Sequence, residues 1–297
     1  MAGGYGGYGG YGGYGGYGGY GGYGGYGGYG NSGGGGGGMF ADRVDLPFAS
    51  VSGIEDAKFN ATGFGTRLWS TRWYSWVVMS DLAVKPDWLE RLGGLKLLGA
   101  DATPWAKDLE DDITELKRMA IEERADALAE IISEADEFIS KFLHLLSATP
   151  ATHPATTRML TVADALTALI AMHYKAHFNR ARPTQIIPGL LSPILHTGHA
   201  SYPSGHSTQA HAFVTLLTKV IPSSLGATMA TPLKVLADRI ARNREIAGLH
   251  YPSDTAAGVT LAEAITTKIL LDQDYLPKFT ALVVAATKEW ENPGVFA

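Results

Sequence analysis

The chain has 297 residues, of which 45% are hydrophobic, carries a formal net charge of −5 and contains no cysteine. The lack of a basic cluster excludes a typical nucleic-acid-binding surface, and the lack of cysteine excludes disulfide bonds, thiolate metal sites and a cysteine nucleophile. No unbroken apolar run reaches the roughly 18 residues that cross a bilayer, and the N-terminus lacks a basic start followed by an apolar stretch. We therefore expect a soluble intracellular protein without a membrane span.

Residues 1–38 consist almost wholly of glycine and tyrosine, with GGY repeated nine times up to Tyr29. Such a segment buries too little apolar surface to offset the entropy of ordering it. We predict a disordered tail that could self-associate through its tyrosines. Residues 39–297 have the composition of one globular domain, and Met39 is an alternative start of the protein.

Helical periodicity recurs from about residue 85 onward and strand signals are scarce, which predicts an all-α helical bundle. Residues 39–84, which include RLWSTRWYSW, are predicted to form an aromatic-rich packing segment. Pro86 is typical of a first helical turn. The further predicted helices are 105–121, 125–147, 157–179, 206–220, 231–247, 254–271 and 277–290.

Two of these helices have distinct apolar patterns. The segment 157–179 is apolar on most sides, which predicts a helix near the centre of the domain. In 125–147, an apolar stripe that includes Leu128, Ile131 and Ile132 lies opposite acidic residues, which we interpret as a solvated face.

The first cluster of chemically distinctive residues is KAHFNRARP. Lys175 and Arg182 are seven residues apart, which places them on nearly the same helix face. Pro183 disfavours helical conformation at Arg182, so that side chain can turn inward at a helix end. Two such cations would need an anion nearby, although surface lysine and arginine are the ordinary alternative.

The second cluster is SYPSGHSTQ. Pro203, Ser204 and Gly205 precede a predicted helix, so the first backbone N–H groups are unpaired and can bind an oxyanion. His206 in the first turn could exchange a proton. Considered alone, a serine-capped helix with a buried histidine explains the same pattern.

The third cluster is NREIAGLHYPSDTAAG. Gly248 suits the end of one helix and Pro252 the start of the next. Arg244 and His250 should therefore converge across a short turn. Asp254 is placed to accept a hydrogen bond from the far ring nitrogen of His250, which would fix the tautomer.

Together, these clusters resemble the signature of the type 2 phosphatidic acid phosphatase (PAP2) and vanadium haloperoxidase superfamily. The resemblance covers residues 175–254 and implies an α-helical bundle. One position departs from the phosphatase pattern, because Asn243 stands where a serine usually precedes the arginine. The matching residues are Lys175, Arg182, Pro183, Pro203, Ser204, Gly205, His206, Arg244, His250 and Asp254.

The resemblance implies a site for a tetrahedral oxyanion, either phosphate or vanadate. Lys175, Arg182 and Arg244 would neutralise its oxygens, and Ser204 and the Gly205 N–H would add hydrogen-bond donors.

Roles for the remaining residues follow from the same resemblance. His250 would attack phosphorus in a phosphatase or ligate vanadium in a haloperoxidase, and Asp254 would orient it. His206 would act as general acid or base.

The same residues serve both chemistries, so the substrates are either hydrogen peroxide and a halide or a phosphate ester. Membrane lipid phosphatases of the superfamily carry about six spanning helices, and soluble acid phosphatases of the superfamily usually carry a signal peptide. We expect neither feature in this sequence. His199, seven residues before His206, is similar to a second histidine that bromo- and iodoperoxidases keep near vanadate. We therefore favour a vanadium-dependent haloperoxidase with vanadate as cofactor over an acid phosphatase.

Two other interpretations remain open. His173 and His177 are four residues apart on a helix, with His196 and His199 nearby, as in a zinc site, but the glutamate of an HExxH motif is missing. The chain could also be an assembly protein driven by the tail formed by residues 1–38.

Overall fold

The computed structural model describes residues 69–99, 101–195 and 197–291. The predicted tail and most of the aromatic-rich segment 39–84 lie outside the described residues. Within the described ranges the chain forms helices and no strand, which confirms the all-α prediction. The α-helices are α1 (Thr71–Ala83), α2 (Trp88–Leu92), α3 (Leu109–Glu122), α4 (Arg124–Ser133), α5 (Ile139–Leu145), α6 (Pro154–Phe178), α7 (Pro183–Ile186), α8 (Gly205–Val220), α9 (Ser223–Ile246), α10 (Pro252–Ile265) and α11 (Pro277–Glu291).

Helix α6 lies at the centre of the bundle, as predicted for residues 157–179. It packs against α1, α8 and α11, and apolar side chains such as Leu166 are fully buried. Pro154 occupies the first turn, where its missing N–H costs no hydrogen bond. Asn179 ends the helix in the left-handed conformation, with φ 47°. The chain therefore leaves the helix axis just before residues 180–182.

The prediction that the chain lacks a membrane-spanning helix is wrong. The helical segment Pro154–Ile186 contains an 18-residue window with a mean hydropathy of 1.2, which satisfies the length and composition of a span. Counting unbroken apolar runs missed this window because single polar residues such as Asp164 interrupt the run without making its average polar. In the bundle, 72% of the window is buried, so this helix also forms the core of the domain.

The predicted helix 125–147 is divided into α4 and α5 by non-helical residues 134–138. Glu137 accepts hydrogen bonds from the Ser140 N–H at 2.8 Å and from the Ser140 hydroxyl at 2.6 Å. This carboxylate satisfies backbone donors at the start of α5, so a new helix begins there.

The interpretation of the two faces of 125–147 is wrong in part. Ile131 is buried as predicted, but Leu128 and Ile132, which precede the break, are exposed. Glu134, assigned above to a solvated face, is 1% exposed.

Helix α9 begins at Ser223 rather than at residue 231 and continues through Pro232. A proline inside a helix removes the N–H donor for one carbonyl, and the packing of α9 along α8 outweighs that loss. Helix α10 ends at Ile265 and a π-helical turn, Thr266–Leu270, completes the predicted segment 254–271.

Helices α8 and α10 approach each other closely at Gly258. A Cβ there would lie 2.7 Å from Ser207 Cβ and 2.8 Å from the Ser204 carbonyl oxygen. The contact brings the N-terminal ends of α8 and α10 together, and these ends carry the second and third sequence clusters.

Gly258→Ala is therefore expected to lower the free energy of unfolding by roughly 1–3 kcal/mol, because the backbone of α8 must move. Urea unfolding measures the change. Gly226→Ala, in the interior of α9, is the control: its Cβ would meet nothing closer than 3.6 Å, and alanine should stabilise the helix by up to about 1 kcal/mol. Equal effects of the two substitutions would contradict the close approach.

Candidate active site

The three sequence clusters converge on one cavity of about 360 Å³. It opens between the end of α6, the start of α8 and the turn between α9 and α10. Ser204 and Asp254 are fully buried behind its surface. The other seven predicted site residues line it: Lys175, Arg182, His199, Gly205, His206, Arg244 and His250.

Lys175 holds the loop before α8. Its ammonium group donates to the carbonyl oxygens of Ala200 at 2.9 Å, Ser201 at 2.8 Å and Pro203 at 2.5 Å. Burial lowers its pKa well below the ordinary value, and Arg182 lowers it further. All three hydrogens bond the loop, so Lys175 could bind an anion only by releasing one of these carbonyls.

Arg182 lies at the centre of the cavity wall, in the extended segment after α6. Its Nε donates to the His199 carbonyl at 2.9 Å and its Nη1 to the Leu249 carbonyl at 2.8 Å. Nη1 also lies 3.4 Å from His250 Nε2. Burial lowers the pKa of Arg182 to about 10, so the group remains a cation at neutral pH.

His250 and Asp254 form a hydrogen-bonded pair at the start of α10. His250 Nδ1 donates to Asp254 Oδ2 at 3.1 Å. Since Arg182 can only donate, Nε2 carries the lone pair and lies at the cavity. Burial holds the pKa of His250 well below its usual value, and Arg182 acts in the same direction. The imidazole is therefore neutral, with its proton on Nδ1.

Asp254 remains a carboxylate although it is fully buried. Burial alone would raise its pKa, but hydrogen bonds from His250 and Ser201 and the charge of Arg180 lower it to about 2. The Ser201 hydroxyl donates to Oδ2 at 2.5 Å, and the Tyr251 N–H donates to the same oxygen at 3.1 Å.

The start of α8 supplies backbone donors and open space. The Ser204 hydroxyl accepts from the Ser207 N–H at 3.4 Å, so Ser204 caps its own helix. The Ser204 N–H donates to the Asp254 carbonyl at 2.9 Å, which ties α8 to α10. A Cβ on Gly205 would meet only Gln209 Oε1, at 4.0 Å. Among the described residues, the space on the side-chain side of Gly205 is therefore open.

His206 faces the cavity from the first turn of α8. Its Nε2 donates to the Glu134 carbonyl at 3.1 Å, and its ring packs on Phe138 with centroids 5.1 Å apart. Burial lowers its pKa to about 3, and the nearby charge of Arg244 adds to the shift. His206 is thus neutral at neutral pH, with Nδ1 available as a proton acceptor.

Arg244 enters the cavity from the end of α9 and is 1% exposed. Its Nη2 donates to the Ile131 carbonyl at 2.7 Å and lies 3.9 Å from Glu134 Oε2. Its Nε is buried without any hydrogen-bond partner in the described protein. Burial lowers the pKa of Arg244 to about 10.

Asn243, the departure from the phosphatase pattern, contacts a carboxylate instead of the cavity. Its Nδ2 donates to Glu134 Oε2 at 2.8 Å and to Glu130 Oε2 at 3.0 Å. Asn243 therefore holds Glu134 beside Arg244, a contact that the shorter side chain of serine would not make in this position.

His199 is half-buried at the cavity mouth. Its Nδ1 lies 3.1 Å from Arg182 Nη2, which can only donate, and 3.1 Å from the Ala200 carbonyl oxygen, which can only accept. These two contacts require opposite tautomers of His199. Burial lowers the pKa of His199 to about 4, with further contributions from Lys175 and Arg182.

The zinc interpretation gains no support from the described residues, which contain no group of three or more metal-ligating side chains. His173 packs edge-on against Trp88 instead, with ring centroids 5.0 Å apart. His196 lies outside the described residues.

Sequence reasoning missed three residues beside the site, Asp112, Glu134 and Arg180, which are all buried. One local pattern could have indicated Arg180. It precedes Arg182 by two residues next to Pro183, which favours an extended backbone. Residues two apart on an extended chain lie on the same side of it. No local signal distinguishes Asp112 or Glu134 from the other acids in the predicted helices 105–121 and 125–147.

Parts of this chain are similar to known proteins. Residues 157–277 match the family model of the PAP2 superfamily. A stretch of 117 residues is 32% identical to a vanadium-dependent bromoperoxidase of Corallina officinalis, covering 29% of this chain but only 20% of that protein. A solved transmembrane PAP2-type phosphatidylglycerolphosphate phosphatase of Bacillus subtilis aligns over 76% of this chain and 97% of its own, with 15% identity and a TM-score of 0.31. The segment 157–277, which contains all three sequence clusters, belongs to the PAP2 superfamily.

Proposed function

We propose that this chain is an oxyanion-binding enzyme whose bound oxyanion is vanadate, and that it acts as a vanadium-dependent haloperoxidase. The observation that carries oxyanion binding is Arg244 Nε, a buried charged donor that has no hydrogen-bond partner among the described residues and belongs to a side chain that lines the cavity. A buried charged donor left unpaired is costly. An anion in the cavity would remove that cost.

The other residues around the cavity fit a tetrahedral oxyanion. Arg182 and Arg244 place two guanidinium cations on one small surface, and Lys175 lies beside them with its hydrogens on the loop before α8. Among the described residues, the space beside Gly205 is open at the start of α8, where a helix end can bind an anion. His250 Nε2, with its lone pair at the cavity, would ligate the vanadium.

His199 favours vanadate over phosphate ester chemistry. It lines the cavity against Arg182, where a second histidine resembles the arrangement expected for bromo- and iodoperoxidases. The relative found by sequence is a vanadium-dependent bromoperoxidase, which supports the same choice.

In this reaction, hydrogen peroxide, a halide ion and one proton give a hypohalous acid and water. Bound vanadate would supply Lewis-acid activation of the peroxide oxygen. His206 would take and return a proton at Nδ1, because Nε2–H is held by the Glu134 carbonyl. Arg182 and Arg244 would hold the negative charge, and Asp254 would keep His250 in the tautomer that ligates.

A phosphatase is the second candidate. Its support is that the Nε2 lone pair of His250 lies at the cavity and the Asp254 carboxylate holds the ring, which also suits a nucleophile that attacks phosphorus. In that case a phosphomonoester would bind the same cations, and His206 would have to take up a proton at Nδ1 before giving it to the leaving group.

A paired assay on the purified protein tests the choice. With added vanadate and hydrogen peroxide we expect oxidation of bromide or iodide, and with an aryl phosphate we expect little hydrolysis. His199→Ala should reduce halide oxidation by about 10-fold, because it removes a neutral hydrogen-bonding group beside the oxyanion site.

Hydrolysis of the phosphate without any halide oxidation would overturn the haloperoxidase proposal. A variant lacking residues 1–38 tests whether the chain is an enzyme or an assembly protein. Unchanged turnover with lost self-association would show that catalysis does not require the tail. A purified protein with neither activity would favour the assembly interpretation.

A further inference from the structure

Arg180 is a buried cation that does not line the cavity. Its Nη1 donates to Asp254 Oδ1 at 2.7 Å and to the Ser253 hydroxyl at 2.7 Å, and its Nη2 donates to Asp112 Oδ2 at 3.2 Å. The side chain is 4% exposed. One guanidinium group thus connects two buried carboxylates from different helices.

Asp112 comes from α3, which precedes the segment matched by the PAP2 family model. Its Oδ1 accepts from the Ser253 N–H at 3.2 Å, and its Oδ2 accepts from the Ser253 hydroxyl. Asp112 therefore binds both Arg180 and the first turn of α10, the helix that carries Asp254.

Two aromatic rings hold the Arg180 guanidinium. It lies 3.7 Å from the centroid of Tyr251 and 4.9 Å from that of Trp105. Cation–π contacts of this kind favour a guanidinium over an ammonium group, because its planar surface stacks on the ring. The position of Arg180 is therefore determined by two carboxylates and two rings.

The hydrogen bonds of Asp254 show how Arg180 fixes the orientation of this carboxylate. Oδ2 accepts from Ser201, from His250 Nδ1 and from the Tyr251 N–H, whereas the described side-chain donor to Oδ1 is Arg180. A carboxylate held through both oxygens cannot rotate. Its Oδ2 then stays in line with the imidazole.

We propose that Arg180 and Asp112 are positioning residues that act through Asp254 to keep the His250 proton on Nδ1 and its lone pair directed at the cavity. The role in turnover rests on the proposed function, in which His250 Nε2 is the reacting atom. The effect on the tautomer of His250 does not depend on that function.

Arg180→Lys is the first test, because it keeps the charge but cannot form the same fork between the two carboxylates. We expect kcat for bromide oxidation to fall by about 10- to 100-fold with KM for bromide nearly unchanged. Weaker pairing raises the pKa of Asp254, so the acidic limb of the pH profile should move to higher pH. Arg239→Lys is the control, because Arg239 donates two hydrogen bonds to Glu130 at the surface. It should leave kcat, KM for bromide and the pH profile unchanged.

Asp112→Asn is the second test and remains informative if Arg180→Lys does not fold. It places an amide beside Arg180, and we expect kcat to fall about 10-fold. Its control is Asp111→Asn, the same chemical change at the exposed neighbour. The double variant should be no slower than the slower single variant, because both changes break one network.

Imidazole ¹⁵N NMR gives a readout without turnover. Wild type should show His250, assigned by its loss in His250→Gln, as a single neutral Nδ1–H tautomer. Both variants should show a mixture of tautomers. Variants with the wild-type tautomer, pH profile and kcat would overturn the proposal. If wild type oxidises no halide, the haloperoxidase proposal fails, while the NMR result still decides the positioning role.

Discussion

His250→Ala is expected to reduce halide oxidation by at least about 1,000-fold, the scale seen when a reacting group is removed from an enzyme. Nε2 of His250 is the one imidazole nitrogen of the described site that has its lone pair at the cavity and its ring held by a buried carboxylate. Alanine removes both the proposed vanadium ligand and the nucleophile of a phosphatase. Aryl phosphate hydrolysis, if present, should be lost as well.

The fold should survive this substitution. Asp254 keeps its bonds from Arg180, Ser201 and the Tyr251 N–H, so its charge remains paired. Steady-state assays of both reactions measure the loss, and circular dichroism checks the fold. His177→Ala, an exposed histidine near the end of α6, should retain full activity. A folded His250→Ala protein with wild-type turnover would show that His250 does not take part in the reaction.

Features controlled by a few adjacent residues were accessible from the sequence. Pro183 keeps Arg182 out of helical conformation and Pro252 marks a helix start, as predicted. Four residues separate His250 from Asp254, so the sequence predicted a hydrogen bond between them, and the structure places these groups 3.1 Å apart. The all-α class was predictable for a similar reason, since helical periodicity repeats within each segment.

Features that depend on distant packing were not accessible. Asp112 lies 68 residues from Arg180 and Glu134 lies 109 residues from Asn243. Each was one acid among several on a helix, and only the packing of α3 and α4 against the motif helices distinguishes them. Lys175 could be predicted as a buried cation, but not that its partners would be three carbonyls of the loop before α8.

Distant packing also explains why the sequence analysis wrongly predicted that no helix has the properties of a membrane span. A count of apolar runs treats Asp164 as an interruption, whereas in the bundle Asp164 accepts from Gln209 Nε2 at 2.8 Å on α8. Burial raises the pKa of this carboxyl well above its usual range. A polar residue satisfied by a neighbouring helix does not make the segment polar, so α6 retains the apolar character of a span.

Arg244→Gln is expected to weaken the binding of orthovanadate and of inorganic phosphate by roughly 10- to 100-fold, because hydrogen bonds to charged groups contribute about 1.5–3 kcal/mol. Arg244 Nε is a buried donor without a hydrogen-bond partner among the described residues, and it belongs to a cation that lines the cavity. Glutamine keeps a donor for the Ile131 carbonyl but loses the charge. Glu134 keeps Lys141 and Asn243 as partners, so the fold should persist.

Isothermal titration with each anion measures this effect. Arg244→Lys should recover part of the affinity, since the charge returns without the guanidinium fork. Arg239→Gln, with a side chain 51% exposed at the surface of the same helix, makes the same change away from the cavity and should bind as wild type does. Because Arg244 would supply one of the cations around the anion, its loss should also weaken the salt dependence of binding. Wild-type affinity in Arg244→Gln would place the anion elsewhere and remove the observation on which the proposed function rests.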